Sequence, residues 1–263
     1  MTGRLGSVRR SFEFCHGLAA VAASGDNAPM PPTARASVGG YCYHALNRGN
    51  ERAQVFHDAD DYHGFVRLLR QACARVPMRL VGYCLMPNHF HLVLWPVGDA
   101  DLSVWMQWLL SAHVYGYRRR YRGSGHVWQG RFKAFAIEED NHLFSVLRYV
   151  ERNPLRAGLA GRAEDWPWSS LHAWLEPPLL PWLDPGPVPR PPGWREHVES
   201  PQTEAELRAL RHSLERGAPY GGAAWVARTA EHLGLESSLH RPGRPRKQAA
   251  VDGEPGGLFA EKP

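Results

Sequence analysis

Residues 80–95 read LVGYCLMPNHFHLVLW, and the prediction of the architecture begins with them. Two apolar and aromatic runs, Leu80 to Leu85 and His89 to Trp95, flank the tripeptide Met86-Pro87-Asn88. Runs of this length and composition are typical of β-strands, and proline next to asparagine is typical of a turn. The segment therefore predicts a β-hairpin.

The flanking segments extend this pattern. Before the hairpin, Tyr41 to Asn47 predicts a strand, and Asp58 can cap a helix that Pro77 stops. The elements predicted after it are a helix from Asp101, a strand from Phe132 to Ile137 and a helix from Asn141 that Pro154 ends. Strand, helix, strand, strand, helix, strand is the ferredoxin-like order. We expect the α+β class, with a ferredoxin-like antiparallel sheet and helices on one face.

The C-terminal third has a different composition. Nine of the residues in 177–201 are proline, which predicts an extended linker without regular elements. Two helical patterns follow, from Glu204 to Arg216 and from Ala223 to Leu233. The predicted organisation is an N-terminal extension (1–38), a catalytic domain (39–172), a Pro-rich linker (173–203), a small helical region (204–240) and a basic disordered tail (241–263). The extension is expected to be disordered or misannotated, with Met30 as an alternative start.

Composition excludes several classes of protein. No apolar run approaches the roughly 18 residues that span a bilayer, so a membrane protein is not expected. The 4 cysteines lack the spacing of a zinc module and are too few to stabilise 263 residues by disulfides. An export signal at Arg9-Arg10 is an alternative that His16 and Gly17 argue against, because they interrupt its apolar part. We expect a cytoplasmic, nucleoid-associated protein.

Basic residues are distributed unevenly. The formal net charge is +5, and no acidic residue occurs between Asp101 and Glu138. Such a segment predicts contact with a polyanion. The basic residues within it are Arg118, Arg119, Arg120, Arg122, Arg131 and Lys133.

His89-Phe90-His91 lies within a predicted strand. Side chains two residues apart face the same way, so both imidazoles share one surface and can hold one divalent cation. An ordinary pair of surface or core histidines is the alternative. A histidine-triad hydrolase is excluded because Val93 occupies the position of a third histidine.

Tyr149 lies on the polar face of the helix that begins at Asn141. A phenol, a carboxamide one turn later, arginines and a histidine pair are the groups that phosphodiester cleavage requires. A cation held by the histidines would neutralise the phosphate, and the phenol would attack it and leave a covalent phosphotyrosine. No Gly-x-x-x-x-Gly-Lys phosphate loop occurs, and none is needed for such a reaction.

Five motifs occur together in order: Asn47-Arg48-Gly49, residues 86–92 (MPNHFHL), residues 128–132 (WQGRF), residues 149–159 (YVERNPLRAGL) and residues 166–170 (WPWSS). Together they resemble the REP-associated tyrosine transposases, which belong to the HUH single-tyrosine transposases and nucleases. The resemblance covers about residues 39–172, and Gly243-Arg244-Pro245-Arg246 also fits the family.

The resemblance implies a Mg²⁺ or Mn²⁺ ion, single-stranded hairpin DNA as substrate and a 5′-phosphotyrosine intermediate with a free 3′-hydroxyl. It implies that Tyr149 is the nucleophile and that His89, His91 and Asn153 are metal ligands. Proline disfavours helical geometry in the residue before it, so Glu151 or water could replace Asn153 in the metal site. The residues expected to contact DNA are Arg48, Arg118, Arg119, Arg120, Arg122, Trp128, Arg131, Lys133, Arg152, Arg156, Arg244 and Arg246.

The sequence leaves two alternatives to this enzyme. One is a domesticated DNA-binding regulator of repeat elements that does not need cleavage. The other is a metallohydrolase that uses activated water rather than Tyr149. A monomer is favoured and a dimer is the alternative.

Overall fold

The computed structural model describes residues 37–175, 180 and 182–240. Its central sheet consists of β1 (Cys42–Arg48), β2 (Met78–Met86), β3 (His89–Pro96) and β4 (Lys133–Ile137). Helix α1 (Ala59–Arg75) connects β1 to β2, and α2 (Asp101–Tyr121) connects β3 to β4. These six elements agree with the prediction to within a few residues at each end. Most of the N-terminal extension and the tail with Arg244 and Arg246 lie outside the described residues.

The strands are ordered β2-β3-β1-β4, and all neighbours are antiparallel. Strand β3 therefore lies between β1 and β2, and β1 lies between β3 and β4, as in a ferredoxin-like fold. Asp58 caps α1 by accepting hydrogen bonds from the backbone N–H groups of Asp60 and Asp61. The predicted fold class is confirmed.

Alternation along β3 assigns its side chains to two faces of the sheet. Phe90 and Leu92 belong to a core formed with α1 and α2. Val93 belongs to a second core on the other face, where His89 and His91 also lie. This second core is completed by α3 (Asn141–Glu151), so helices cover both faces rather than one.

Proline does not end the predicted third helix in the expected way. Helix α3 ends at Glu151, and a separate turn, α4 (Asn153–Arg156), begins at once with Pro154 in its first positions. Proline is tolerated there because it lacks only an N–H that has no intrahelical partner. The chain thus changes direction between Tyr149 and Asn153.

The proline-rich stretch contains a helix, contrary to the expectation that no regular element would occur there. Short helices α5 (Ser170–Leu175) and α6 (Trp194–Glu199) flank most of the prolines. Buried Trp194 and Val198 anchor α6 in the second core. Apolar burial therefore outweighs the local preference for an extended chain.

The predicted helical pair is present as α7 (Glu204–Arg216) and α8 (Ala223–His232), followed by α9 (Glu236–Leu239). Helix α7 begins with a capping box formed by Thr203 and Glu206. In the described part of the chain, no helix is both long and apolar enough to cross a membrane.

Candidate active site

His89 and His91 project from β3 onto the sheet face that α3 covers, and their ring centroids are 5.0 Å apart. His91 is buried, whereas His89 is partly exposed. The hairpin turn and the pairing of β3 with β1 and β2 on either side hold both backbones. The two imidazoles are thus presented together on a rigid surface.

One nitrogen of each imidazole is already engaged. His91 Nδ1 lies 2.9 Å from Nε2 of His44, a buried histidine on β1. His89 donates from Nδ1 to the Asn88 side-chain oxygen at 2.6 Å. The Nε2 atoms of His89 and His91 remain available to a ligand. Metal-binding histidines characteristically bind the metal through one ring nitrogen while the other donates a hydrogen bond to a neighbouring group.

Burial keeps these imidazoles neutral. Burial, with a smaller effect of the nearby cations Arg48 and Arg156, lowers the pKa of His89 to about 4. Burial also lowers the pKa of His91 well below its usual value and that of His44 to about 3. Neutral imidazoles have the lone pairs that a divalent cation needs, so the chemistry of the pair fits a metal ion.

Tyr149 reaches the histidines from α3. Leu143, Val146 and Val150 pack α3 onto the sheet, and the Tyr149 ring lies at the edge of that contact, 8% exposed. Its centroid is 5.7 Å from that of His91 and 6.3 Å from that of His44, in edge-on geometry. The structure therefore brings the predicted nucleophile beside the predicted metal ligands.

Arg156 packs against the ring of this tyrosine. Its guanidinium carbon lies 4.2 Å from the Tyr149 ring centroid, and its Nη2 donates to Asn153 Oδ1 at 2.8 Å. Helix α4 supplies both residues, so the change of direction after Glu151 forms this contact. A cation is thereby held against the phenol ring and near the histidines.

Asn153 is buried, and its Nδ2 atom has no hydrogen-bond partner. The Oδ1 atom keeps a second lone pair after accepting from Arg156, so a ligand role is chemically compatible with this side chain. Glu151 does not fit the alternative role. Its carboxylate accepts hydrogen bonds from Ser170, Arg190 and Trp194 and is fully buried among them.

A basic cleft of about 380 Å³ adjoins the histidines. Leu46 and Arg48 line it, and in the β1–β3 register they lie opposite His91 and His89. We call it the β1–α7 cleft. Its basic residues are Arg48, Arg131, Lys133 and Arg211.

The basic residues at the end of α2 lie apart from this cleft. Arg120 forms ion pairs with Asp58 and Asp61 at 2.6 and 2.8 Å, so a phosphate would have to displace them. Arg118 donates to the Gly125 carbonyl oxygen at 2.7 Å and, with Arg119, lines a second cleft. Arg122 is exposed at the C-cap of α2.

Two expectations of DNA contact need correction. Trp128 is 5% exposed, and its ring packs against Phe90 and His113 in the first core, so it is not available to stack on a base. Arg152 donates from Nη1 to the carbonyl oxygens of Val198 and Glu199 at the end of α6. Nη1 of Arg152 is therefore engaged at a helix terminus, and a phosphate would have to displace these bonds to use it.

A second group of possible ligands lies at the start of α3. Ligand atoms of Glu138, Asp140 and His142 lie within 4.8 Å of one another. Asp140 Oδ1 already accepts from both the backbone and the ring of His142, and Glu138 accepts from the backbone N–H of Gly222. These bonds cap α3 and attach a loop to it, so the cluster has a structural explanation.

Sequence reasoning missed His44 and Arg211. In the β1 segment, His44 alternates with Tyr43 and Ala45, so its sheet face could have been inferred but not its contact with His91. Arg211 lies on α7, whose placement beside β1 and β4 depends on tertiary packing. No local signal distinguishes it from other exposed arginines.

Comparison with known proteins finds similarity to transposases. Residues 37–153 match the family model for IS200-like transposases. A protein of Haemophilus influenzae named as a candidate REP-associated tyrosine transposase is 29% identical over 123 residues, 43% of this chain and 69% of that protein. The REP-associated tyrosine transposase of Escherichia coli is 26% identical over 140 residues, 51% of this chain and 78% of that protein.

A solved structure of a REP-associated tyrosine transposase bound to a REP hairpin has a TM-score of 0.48 and 20% identity, covering 66% of this chain and 100% of that one. The predicted resemblance to the REP-associated tyrosine transposases is confirmed by the family and relative matches, as is the predicted enzyme class of tyrosine transposase.

Proposed function

We propose, from its relationship to the REP-associated tyrosine transposases, that this chain is a metal-dependent endonuclease and strand transferase. Its substrate is single-stranded, repeat-derived hairpin DNA, and Tyr149 is its nucleophile. The observation that supports this most directly is the placement of the Tyr149 ring, whose centroid lies 5.7 Å from that of His91 and 4.2 Å from the guanidinium carbon of Arg156. The phenol, the imidazole pair and a cation occupy one small region of the sheet surface.

The proposed reaction exchanges one phosphodiester bond for another. The Tyr149 oxygen forms a bond to phosphorus as the bond from phosphorus to the 3′ oxygen breaks. The phenol gives up a proton and the departing 3′ oxygen gains one, which leaves a 5′-phosphotyrosine and a free 3′-hydroxyl. The covalent bond retains the free energy needed to rejoin the strand, so no nucleotide cofactor is required.

His89, His91 and Asn153 would hold the Mg²⁺ or Mn²⁺ ion. When bound, such an ion supplies charge neutralisation at the scissile phosphate. The neutral imidazoles provide two nitrogens, and His44 and Asn88 orient the rings through their other nitrogens. Ring orientation is thus set by the protein before any ligand binds.

Arg156 and the β1–α7 cleft have the positioning roles in this proposal. Arg156 holds the Tyr149 ring from above, which limits the directions from which the phenol can approach a phosphate. Arg48, Arg131 and Lys133 line the cleft that adjoins the histidines, so a DNA backbone lying there would pass the phenol. The protein would act in the cytoplasm on nucleoid DNA, as a monomer.

The test uses a labelled hairpin with Mn²⁺ and a denaturing gel. The parent protein should form a covalent protein–DNA adduct, and Tyr149→Phe should lose the adduct while it still binds the hairpin. Tyr220→Phe is a matched control because Tyr220 is also buried in the second core, where it contacts Phe135 and His142. It should keep the adduct.

Two other outcomes identify the alternatives. Cleavage that persists in Tyr149→Phe without an adduct would indicate a hydrolase that uses water. Hairpin binding by the parent without any cleavage would indicate a DNA-binding regulator. Either result contradicts the proposed role of Tyr149.

A further inference from the structure

A second cleft, of about 790 Å³, lies between the C-terminal half of α2 and the loop before β4. We call it the α2 cleft. Among the residues that line it are Tyr115, Arg118, Arg119, His126, Val127 and Gly130. No acidic side chain of the described residues lines it.

Tyr115 is the most exposed large aromatic side chain in the described part of the chain, at 72%. Nearby tyrosines on α2 are engaged: Tyr117 contacts His57, and Tyr121 donates to Asp61 at 2.6 Å. The Tyr115 side chain has no hydrogen bond or ring contact within the described residues. An aromatic ring left open beside a cavity offers a flat surface for another ring system.

Two arginines accompany this ring. Arg118 is held by its hydrogen bond to Gly125, which fixes one guanidinium at the cleft. The Arg119 side chain forms no hydrogen bond or ion pair with any of the described residues, so none of them neutralises its charge. An aromatic platform beside uncompensated arginines is the combination that binds single-stranded nucleic acid.

The α2 cleft is separated from the β1–α7 cleft by one short loop. Trp128 and Gly130 line the α2 cleft, whereas Gln129 and Arg131 line the β1–α7 cleft. Consecutive residues of this loop therefore alternate between the two clefts. A strand that crosses this loop from the β1–α7 cleft would enter the α2 cleft.

We infer that the α2 cleft binds an unpaired nucleotide of the DNA substrate, with its base stacked on Tyr115 and its phosphates against Arg118 and Arg119. This rests on the proposed function, because it assumes that DNA occupies the neighbouring cleft. Stacking on a tyrosine is tolerant of base identity, so the site selects single-stranded character rather than sequence. The site takes over the stacking role that buried Trp128 is unable to perform.

The experiment compares two labelled hairpins by fluorescence anisotropy. One is blunt, and the other has unpaired extensions on both sides of its stem. Tyr115→Ala should weaken binding of the extended hairpin about tenfold, as expected for loss of one stacked base, and leave binding of the blunt hairpin unchanged. Tyr115→Trp should retain the affinity of the parent.

Val104→Ala is the matched control. Val104 is 52% exposed on the same helix and does not line the cleft, so its loss should change neither affinity. Equal affinities of Tyr115→Ala and the parent for the extended hairpin would overturn the inference. So would an equal loss for both hairpins, which would show a general effect on the fold or charge.

Adduct formation separates this inference from the proposed function. A parent protein that forms the Tyr149 adduct, combined with no effect of Tyr115→Ala, removes only the inference about the α2 cleft. A parent protein that binds neither hairpin removes both.

Discussion

His44 determines which nitrogen of His91 is available to a metal ion. For Nε2 of His91 to be a free ligand, its proton must be on Nδ1, and Nδ1–H must then donate to Nε2 of His44. His44 must in turn carry its proton on Nδ1, an atom that is buried without a hydrogen-bond partner. The hydrogen bond between the two rings thus fixes the His91 tautomer. It also leaves the Nδ1–H group of His44 buried without an acceptor, which costs free energy of folding.

Replacing His44 should therefore weaken metal binding. We expect His44→Phe to reduce affinity for Mn²⁺ about ten- to hundredfold, which is typical when the partner of a metal-binding histidine is lost. Titration followed by electron paramagnetic resonance measures this without DNA. His113→Phe is the control because His113 is also buried but lies in the first core. Equal Mn²⁺ affinities in the two variants would contradict the role of His44.

His113 should make stability depend on pH. Burial lowers its pKa to about 4 in the folded protein, whereas an unfolded histidine titrates near 6.5. Between these values the unfolded chain binds more protons, so the free energy of unfolding decreases as the pH falls from about 6.5 to about 4. The contribution of one group is at most about 1.4 kcal/mol per pH unit.

His113→Leu should reduce that slope. Urea unfolding at several pH values between 4.5 and 8 measures it, and the other buried histidines leave a residual slope in both proteins. At pH 8 the two proteins differ through packing alone, so the comparison of slopes isolates the proton. Parallel stability curves for the parent and the variant would show that His113 does not titrate in this range.

At the residue level, alternation along a strand and periodicity along a helix predicted which side chains share a face. His89 and His91 share a face because strand side chains alternate, and Tyr149 reaches them from the polar border of α3. Contacts that depend on distant segments were not predictable. Trp128 is core because Phe90 and His113 surround it, and a tryptophan beside basic residues looks the same in sequence whether it is buried or exposed.

Helix α3 is tied to the proline-rich segment through a buried ion pair. Glu151 is fully buried and lies 3.1 Å from Arg190, while Trp194 Nε1 donates to its other oxygen at 2.7 Å. Arg190 also donates to the Val81 carbonyl oxygen on β2. The segment thus packs against β2 and α3 rather than acting as a spacer.

Breaking this pair from one side should be costly. We expect Arg190→Met to lower the free energy of unfolding by about 3 kcal/mol, because it leaves the Glu151 carboxylate buried without its cation. The double variant Glu151→Gln/Arg190→Met should lose less, since the uncompensated charge is gone. Urea unfolding followed by circular dichroism measures both. A double variant less stable than Arg190→Met would contradict the argument.

The control is an exposed ion pair. Arg162→Met removes an ion-pair partner of Glu164. The Arg162 side chain is 55% exposed, so a much smaller change in the free energy of unfolding is expected. A similar loss in both arginine variants would mean that burial does not determine the cost.

At the level of elements, helix starts that depend on capping residues were predictable, whereas the effect of the prolines and the packing partners were not. Asp58 and the Thr203–Glu206 capping box begin helices α1 and α7 where sequence places such signals. Helix α6 was missed because the prolines on either side of it favour an extended chain locally. Burial of Trp194 and Val198 supplies the opposing energy only after the sheet has formed.

Across the whole molecule, the places where the fold brings basic residues together indicate where DNA could bind better than the net charge of +5 does. The β1–α7 cleft draws its cations from β1, β4, the loop before β4 and α7. Sequence predicted three of these residues from a stretch without acidic residues and from a motif, but Arg211 joins them only because α7 packs beside β4. The cleft is thus a product of the fold.

Arg211 should behave as a phosphate contact. We expect Arg211→Gln to weaken hairpin binding and to reduce the slope of log affinity against log salt concentration by about 0.7 to 0.9, the change for one phosphate contact. Arg208→Gln is the matched control, because Arg208 is exposed on the same helix, carries the same charge and does not line the cleft. Anisotropy titrations between low and physiological salt measure both slopes.

The comparison distinguishes local contact from overall charge. Both variants lower the net charge equally. If DNA were held only by long-range attraction, the affinity for DNA should fall by the same factor in both variants. A direct contact should change the slope only for Arg211→Gln, because counterions are released from the phosphates that the protein neutralises. Identical slopes in the two variants would show that DNA does not occupy the β1–α7 cleft, and would leave Tyr149 without the approach path that places a phosphate beside it.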